Sequence, residues 1–187
     1  MTTKVGNKYM KHLLVICGAS GVGKTTIQDY LVKNYGFKRV LTHTTRLPRK
    51  HEVDGRDYYF ETRSSFFKNN YLEYVEYDHC LYGSSAEGLN RAWQTSDWAV
   101  IVLDTEGAAA YKQKVTADLK CWYIYVSSES TLAARLEERD TNAAARLASS
   151  EAQRDLHVPP KLKDFCNLIR NDEWQETKKI IAKLLSK

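Results

Sequence analysis

Residues 18 to 25 read G-A-S-G-V-G-K-T, a complete match to G-x-x-x-x-G-K-[ST]. Glycines let a backbone turn tightly enough to aim several N–H groups at one anion, and a helix start behind them adds partial positive charge. On this reading Gly18, Ala19, Ser20, Gly21, Val22, Gly23, Lys24, Thr25 and Thr26 form a phosphate cradle. Lys24 reaches the β- and γ-phosphates as a point charge, and the Thr25 hydroxyl joins the shell of a Mg²⁺. The bland alternative is a glycine-rich turn that happens to precede a helix. An apolar run, "HLLVIC", leads into the motif and a helical pattern leads out of it, which is the context that gives it meaning. The motif points to a nucleoside triphosphate and leaves the acceptor open.

A second group of candidates follows in "THTTRLPRKHEVDGRDYYF". Arg46 and Arg49 stand three apart around Pro48, with Tyr58 and Tyr59 after a turn at Asp54-Gly55. Two guanidiniums on a stiffened segment suit a phosphate dianion, each presenting a fork of donors. A solvated basic loop fits the same residues. Arg135 and Arg139 lie four apart on one helical face, and Arg146 follows. Taken singly, they also suit an ordinary charged helix paired with Glu137, Glu138 and Asp140.

Those residues need elements to hold them. Short runs that are apolar on both faces alternate with helical patterns, the signature of parallel β-α-β units in a sheet covered on both sides. Strands are predicted at 12–17, 37–41, 98–103, 121–126 and 167–170, and helices at 24–34, 106–117, 131–139 and 173–185. The expected fold is therefore α/β: a three-layer α/β/α P-loop NTPase core from 12–41, 96–135 and 164–187. Residues 42–95 differ in texture, with tyrosine-rich alternation in "DYYFE" and "YLEYVEY", and read as a small mixed or antiparallel insert ending in a helix near 85–95. Residues 136–163 are rich in alanine and charge, end near Pro159-Pro160, and read as a helical lid.

The chain of 187 residues is 43% hydrophobic with a net charge of +5, ordinary for one globular domain that handles anions. No RNA-recognition, zinc-finger or basic-zipper pattern is present, so no nucleic-acid partner is expected. The longest apolar runs are too short to span a bilayer, and the polar N-terminus lacks a signal-peptide core. The four cysteines, Cys17, Cys80, Cys121 and Cys166, show no metal-ligand spacing and read as reduced thiols of a cytoplasmic protein. No disulfide staple is expected at this length.

Here a specific likeness enters. T-T-R-x-P-R followed by E-x-x-G-x-D-Y-x-F resembles the GMP-phosphate motif of the guanylate kinase family. "YLEYVEYDHCLYGSS" is similar to that family's guanine-binding stretch, "LDTEG" to its I-D-x-Q-G, "LAARLEERD" and "ARLASSEA" to its arginine-bearing lid, and "FCNLIRND" to its near-terminal strand. The matches follow family order from about Leu13 to Leu184. The resemblance implies transfer of the γ-phosphate of ATP to GMP, and to dGMP, with Mg²⁺. It implies that Arg46, Arg49, Tyr58 and Tyr82 hold the GMP phosphate and that Glu73 reads the base. Thr42, Gly83 and Ser84 would complete the base site, the two hydroxyls facing guanine O6. Asp104 would serve the acceptor side or the metal, Asn171 and Arg135 the ATP, and Lys24, Arg46, Arg135, Arg139 and Arg146 the transfer itself. By pattern alone, "YLEYVEY" equally suits an amphipathic strand with Glu73 and Glu76 in water.

The chain departs from the family at Thr42, where serine is usual, at Glu106 in place of glutamine, at Val102, a position often acidic, and in a shortened stretch from 139 to 146. Two other readings share the fold: a non-catalytic guanylate-kinase-like interaction module, and a ribose 1,5-bisphosphate kinase. The intact loop at 18–25 argues against the first, and Glu73 with Tyr82-Gly83-Ser84 against the second. The expected state is a monomer or a weak homodimer.

Overall fold

The computed structural model describes residues 10–77, 79–137 and 150–186. Its central sheet contains β1 (His12–Cys17), β2 (Lys38–Arg39), β7 (Trp98–Val102), β8 (Asp118–Tyr125) and β9 (Cys166–Arg170). The order is β2-β7-β1-β8-β9 and every pairing is parallel. In β1, Leu13 and Val15 face one apolar cluster while Leu14 and Ile16 face another, and all four are at most 1% exposed. That two-sided burial is why the strand reads as a continuous apolar run rather than an alternating one.

Helices close both faces. Ile27 and Leu31 of α1 (Lys24–Tyr35) pack with the Leu14 and Ile16 cluster. Leu89 and Trp93 of α3 (Ala86–Thr95), with Ala108 and Tyr111 of α4 (Thr105–Lys114), cover the opposite face. The expected layering holds, with shifted ends. The edge strand β2 keeps two residues of the five predicted. β8 starts at Asp118, three residues early, because His12 pairs with Asp118 in register and their side chains meet at 2.7 Å. Polar residues at a sheet margin carry no hydrophobic signal. Beyond β8 lies α5 (Glu129–Glu137), and α6 (Ser150–Asp155) and α7 (Pro160–Lys163) precede β9. The terminal helix is α8 (Trp174–Leu185).

The tyrosine-rich segment forms a separate sheet of β3 (His43–Thr44), β4 (Tyr59–Phe60), β5 (Tyr71–Tyr77) and β6 (Cys80–Ser85), with a single-turn helix, α2 (Arg63–Phe66), between β4 and β5. Its order is β4-β3-β6-β5, and it is mixed: β3 and β4 run parallel, the other pairs antiparallel. Register sets Glu73 of β5 opposite Ser84 of β6. Among the described residues no helix is long and apolar enough to cross a membrane.

One expectation is corrected. Cys121 and Cys166, read as reduced thiols, are register partners on β8 and β9 and are joined as a disulfide, with Cα atoms 4.5 Å apart. Their separation of 45 residues hides the pairing from any local motif. Cys17 and Cys80 remain free, and burial pushes the Cys17 thiol up to about 12.

Candidate active site

The phosphate loop crosses from β1 to α1 at the carboxyl end of the parallel sheet, the edge where such sheets bind ligands. Gly18 has φ +130°, and a Cβ there would lie 2.2 Å from the Ile124 carbonyl oxygen. Gly23, the α1 cap, has φ +96°, and a Cβ there would lie 2.3 Å from Asn171 Nδ2. Both positions need a residue without a side chain. Lys24 Nζ folds back on the loop, donating to the carbonyls of Gly18 and Ala19 at 2.7 Å each.

Asn171 is buried behind the loop. Its Nδ2 donates to the Val22 carbonyl at 2.8 Å, and its Oδ1 accepts from Thr177 Oγ1 at 2.9 Å. The family likeness puts Asn171 beside ATP; here its side chain braces the loop backbone. Arg135 of α5 docks on the same corner, donating to the carbonyls of Asn171 and Asp172 at 2.9 and 3.1 Å. Arg139 and Arg146 lie outside the described residues.

Across from the loop stand the paired arginines. Arg46 Nη2 donates to both carboxylate oxygens of Glu52 at 2.9 Å, and its guanidinium sits 5.5 Å above the Tyr58 ring. Glu52 also accepts the Arg49 backbone N–H at 2.8 Å. Glu52 thus fixes the paired arginines, a role that the motif alone does not assign. One cavity of about 180 Å³ joins the two halves. On one wall are Ser20, Gly21, Gly23, Lys24 and Thr25; on the other, Thr42, Arg46, Arg49, Tyr58, Tyr82 and Gly83. Glu73 and Asp104 line it too, while Val75, Val102, Leu103 and Leu136 supply apolar surface.

Glu73 is half-buried at the cavity wall. Its Oε1 accepts from Ser84 Oγ at 2.5 Å, and a Cβ on Gly107 would come within 3.1 Å of its Oε2. Burial pushes its carboxyl up to about 7, with the Asp104 charge adding to the rise and the Ser84 hydrogen bond opposing it. Ser84 itself is fully buried, with its hydroxyl engaged by the Glu73 carboxylate. Ala19 and Val22 are likewise buried, and Thr26 is exposed on α1.

Asp104 caps α4, its Oδ1 accepting the Gly107 N–H at 2.6 Å. Its Oδ2 accepts from Arg154 Nη2 at 2.9 Å. Arg154 Nε donates in turn to buried Asp155, which holds Thr105 Oγ1 at 2.5 Å. Burial raises the Asp104 carboxyl against the pull of the Gly107 amide, and Arg154 offsets the nearby Asp155 charge. Sequence reading missed Arg154 and Asp155, since nothing in a run of alanine and charge marks which residues turn inward. His43 is buried between Glu61 and Ser85, in a packing role.

A complete G-x-x-x-x-G-K-T loop between the first strand of a parallel sheet and the helix that follows it defines a protein of the P-loop NTPase class. The guanylate kinase family model matches residues 10–187. The guanylate kinase of Chlamydia caviae is 32% identical over 183 residues, covering 92% of this chain and 86% of its own. That of Sus scrofa is 31% identical over 185 residues, covering 92% and 91%. The crystal structure of guanylate kinase from Anaplasma phagocytophilum superposes with a TM-score of 0.70 at 24% identity, covering 96% of this chain and 86% of that one. The chain belongs to the guanylate kinase family.

Proposed function

We propose that this chain transfers the γ-phosphoryl group of ATP to GMP, and to dGMP, giving ADP and GDP or dGDP. The observation that carries the reading is the single cavity shared by Lys24 and its loop on one side and by Arg46, Arg49 and Glu73 on the other. An acceptor phosphate monoester is already an anion near neutral pH, so its oxygen needs no general base. What transfer needs is in-line placement and neutralised charge.

We assign the donor phosphates to the loop amides, with Lys24 exchanging its two carbonyl partners for β- and γ-phosphate oxygens. Arg46, Arg49, Tyr58 and Tyr82 take the acceptor phosphate, Glu52 keeping the guanidiniums aimed until it arrives. Glu73 accepts from guanine N1–H and the exocyclic amine, a pairing adenine cannot match because its N1 is an acceptor. Thr42, on the cavity wall, is the hydroxyl available to O6; Ser84 serves Glu73. Arg135 steadies the nucleotide corner, and Arg139 and Arg146 complete charge neutralisation from the lid.

The donor set fits Mg²⁺ through Thr25. Such an ion keeps most of its waters and binds chiefly through nucleotide phosphates, whose charge it offsets. Asp104 has both oxygens engaged by Gly107 and Arg154, so we assign it to the acceptor side rather than to the metal. The one grouping of three His, Cys, Asp or Glu ligand atoms among the described residues is Cys17 with the disulfide-bonded Cys121 and Cys166, unsuited to so hard an ion.

An ADP-release assay across GMP, dGMP, AMP, UMP and ribose 1,5-bisphosphate tests the reading. Turnover is expected with the two guanine nucleotides and at least about a hundredfold less with AMP. Equal use of AMP would remove the role given to Glu73. Lys24→Ala should abolish transfer while GMP still binds.

A further inference from the structure

Among the described residues one buried side-chain oxygen makes no hydrogen bond, the hydroxyl of Tyr111. Buried tyrosines nearly always satisfy that group, so an orphan of this kind is rare. Tyr111 lies on α4, the helix capped by Asp104, and its side chain is fully buried in the cluster beneath the acceptor site. Tyr111 lies one turn along α4 from Gly107, where a Cβ would come within 3.1 Å of Glu73 Oε2, so the phenol shares the helix face that meets Glu73 and the Ser84 bonded to it. Burial holds the phenol protonated well above its ordinary range, the Ser84 hydroxyl partly opposes that and the Glu73 charge reinforces it. Ser84 is thus near enough to act on the phenol, yet no bond of acceptable geometry joins them. The single Ser84 proton is spent on Glu73 Oε1.

We propose that Tyr111 is a positioning residue for recognition of the acceptor base, acting through Ser84. When the purine docks, the phenol closes on Ser84 Oγ and donates its proton there. The oxygen of Ser84 has a free lone pair for that bond while its own proton stays on Glu73. The chain Tyr111 to Ser84 to Glu73 then runs donor to acceptor in one direction and fixes the carboxylate as an acceptor toward the cavity. Guanine offers two N–H groups to that carboxylate. Adenine offers a ring nitrogen acceptor, which a carboxylate held this way repels. The orphaned hydroxyl is therefore a bond held in reserve for the occupied state. This inference rests on the GMP-site reading above.

Tyr111→Phe removes only the oxygen. Removing an unmatched buried hydroxyl should leave the Tm unchanged or higher. The KM for GMP should rise about three- to tenfold, the scale of one neutral hydrogen bond, with kcat and the KM for ATP unchanged. The preference for GMP over AMP should narrow. In a Ser84→Ala background the same substitution should add nothing, because the chain is already cut. An unchanged KM for GMP in Tyr111→Phe overturns the inference. So does an equal penalty in both backgrounds, or a fall in Tm with every kinetic constant worsening together. GMP affinity by calorimetry on the same proteins separates the two levels: failure of the wild type to turn over GMP defeats the kinase reading, while the affinities still test Tyr111.

Discussion

Glu73 carries the sharpest consequence at the scale of one residue. Burial pushes its carboxyl up to about 7 in the folded chain, well above an ordinary glutamate, so it holds a proton that the base-reading role proposed for it requires it to release. With an acceptor needing the ionised form, the apparent KM for GMP should be about tenfold higher at pH 6 than at pH 8, with the KM for ATP flat. Initial-rate measurements over that range decide it. Stability follows the same proton. Between the unfolded value, near 4.5, and the folded value, near 7, the native state binds more protons than the unfolded chain, so stability is lost as pH rises through that window. Glu73→Gln lacks this loss. Its Tm should exceed that of the parent by up to about 10 °C at pH 8, and the gap should close as pH falls towards the unfolded value. Glu73, Arg46 and Arg49 were all visible in the sequence because they sit in contiguous motifs. Glu52 lay inside one of those motifs without a role, and Arg154 was invisible, since the Asp104 it bonds is 50 residues away.

Elements make the loop rigid. Asn171 follows β9 and bonds the loop between β1 and α1, so two chain segments 149 residues apart meet at the Val22 carbonyl. Asn171→Ala would strand that carbonyl in a buried site at a cost of about 1–3 kcal/mol. The expected result is a Tm lower by roughly 2–12 °C and a higher KM for ATP, read by calorimetry and initial rates. Arg154 does comparable work for α6, joining Asp104 and Asp155. Strand positions were legible where burial is two-sided, as in β1 and β7, because a short run that is apolar at every position fits a strand covered on both faces and little else. They were illegible where pairing is polar, as at the start of β8, and at α4, which ends at Lys114 rather than 117 when Val115 turns extended.

At the scale of the whole molecule, the glycine-rich loop at 18–25 rides on the parallel sheet and Arg46 follows β3 of the mixed one, with no strand pairing between the two sheets among the described residues. The order of elements along the chain was readable from alternation of strands and helices. The bond between Cys121 and Cys166 was not, because it depends on which strands become neighbours. A crosslink across 45 residues restricts the unfolded chain by about 4 kcal/mol in a loop-entropy estimate. Denaturant unfolding with and without reductant should therefore differ by up to that amount, and Cys166→Ala should match the reduced form. Equal midpoints would show that the pair contributes nothing to global stability.

The close pass of Gly18 beneath the Ile124 carbonyl reaches beyond any single assay. Every other amino acid carries the atom that this approach excludes, so heredity has no conservative step available at that codon. A saturation library selected for function should come back with codon 18 unvaried, while the codon for exposed Tyr74 fills freely.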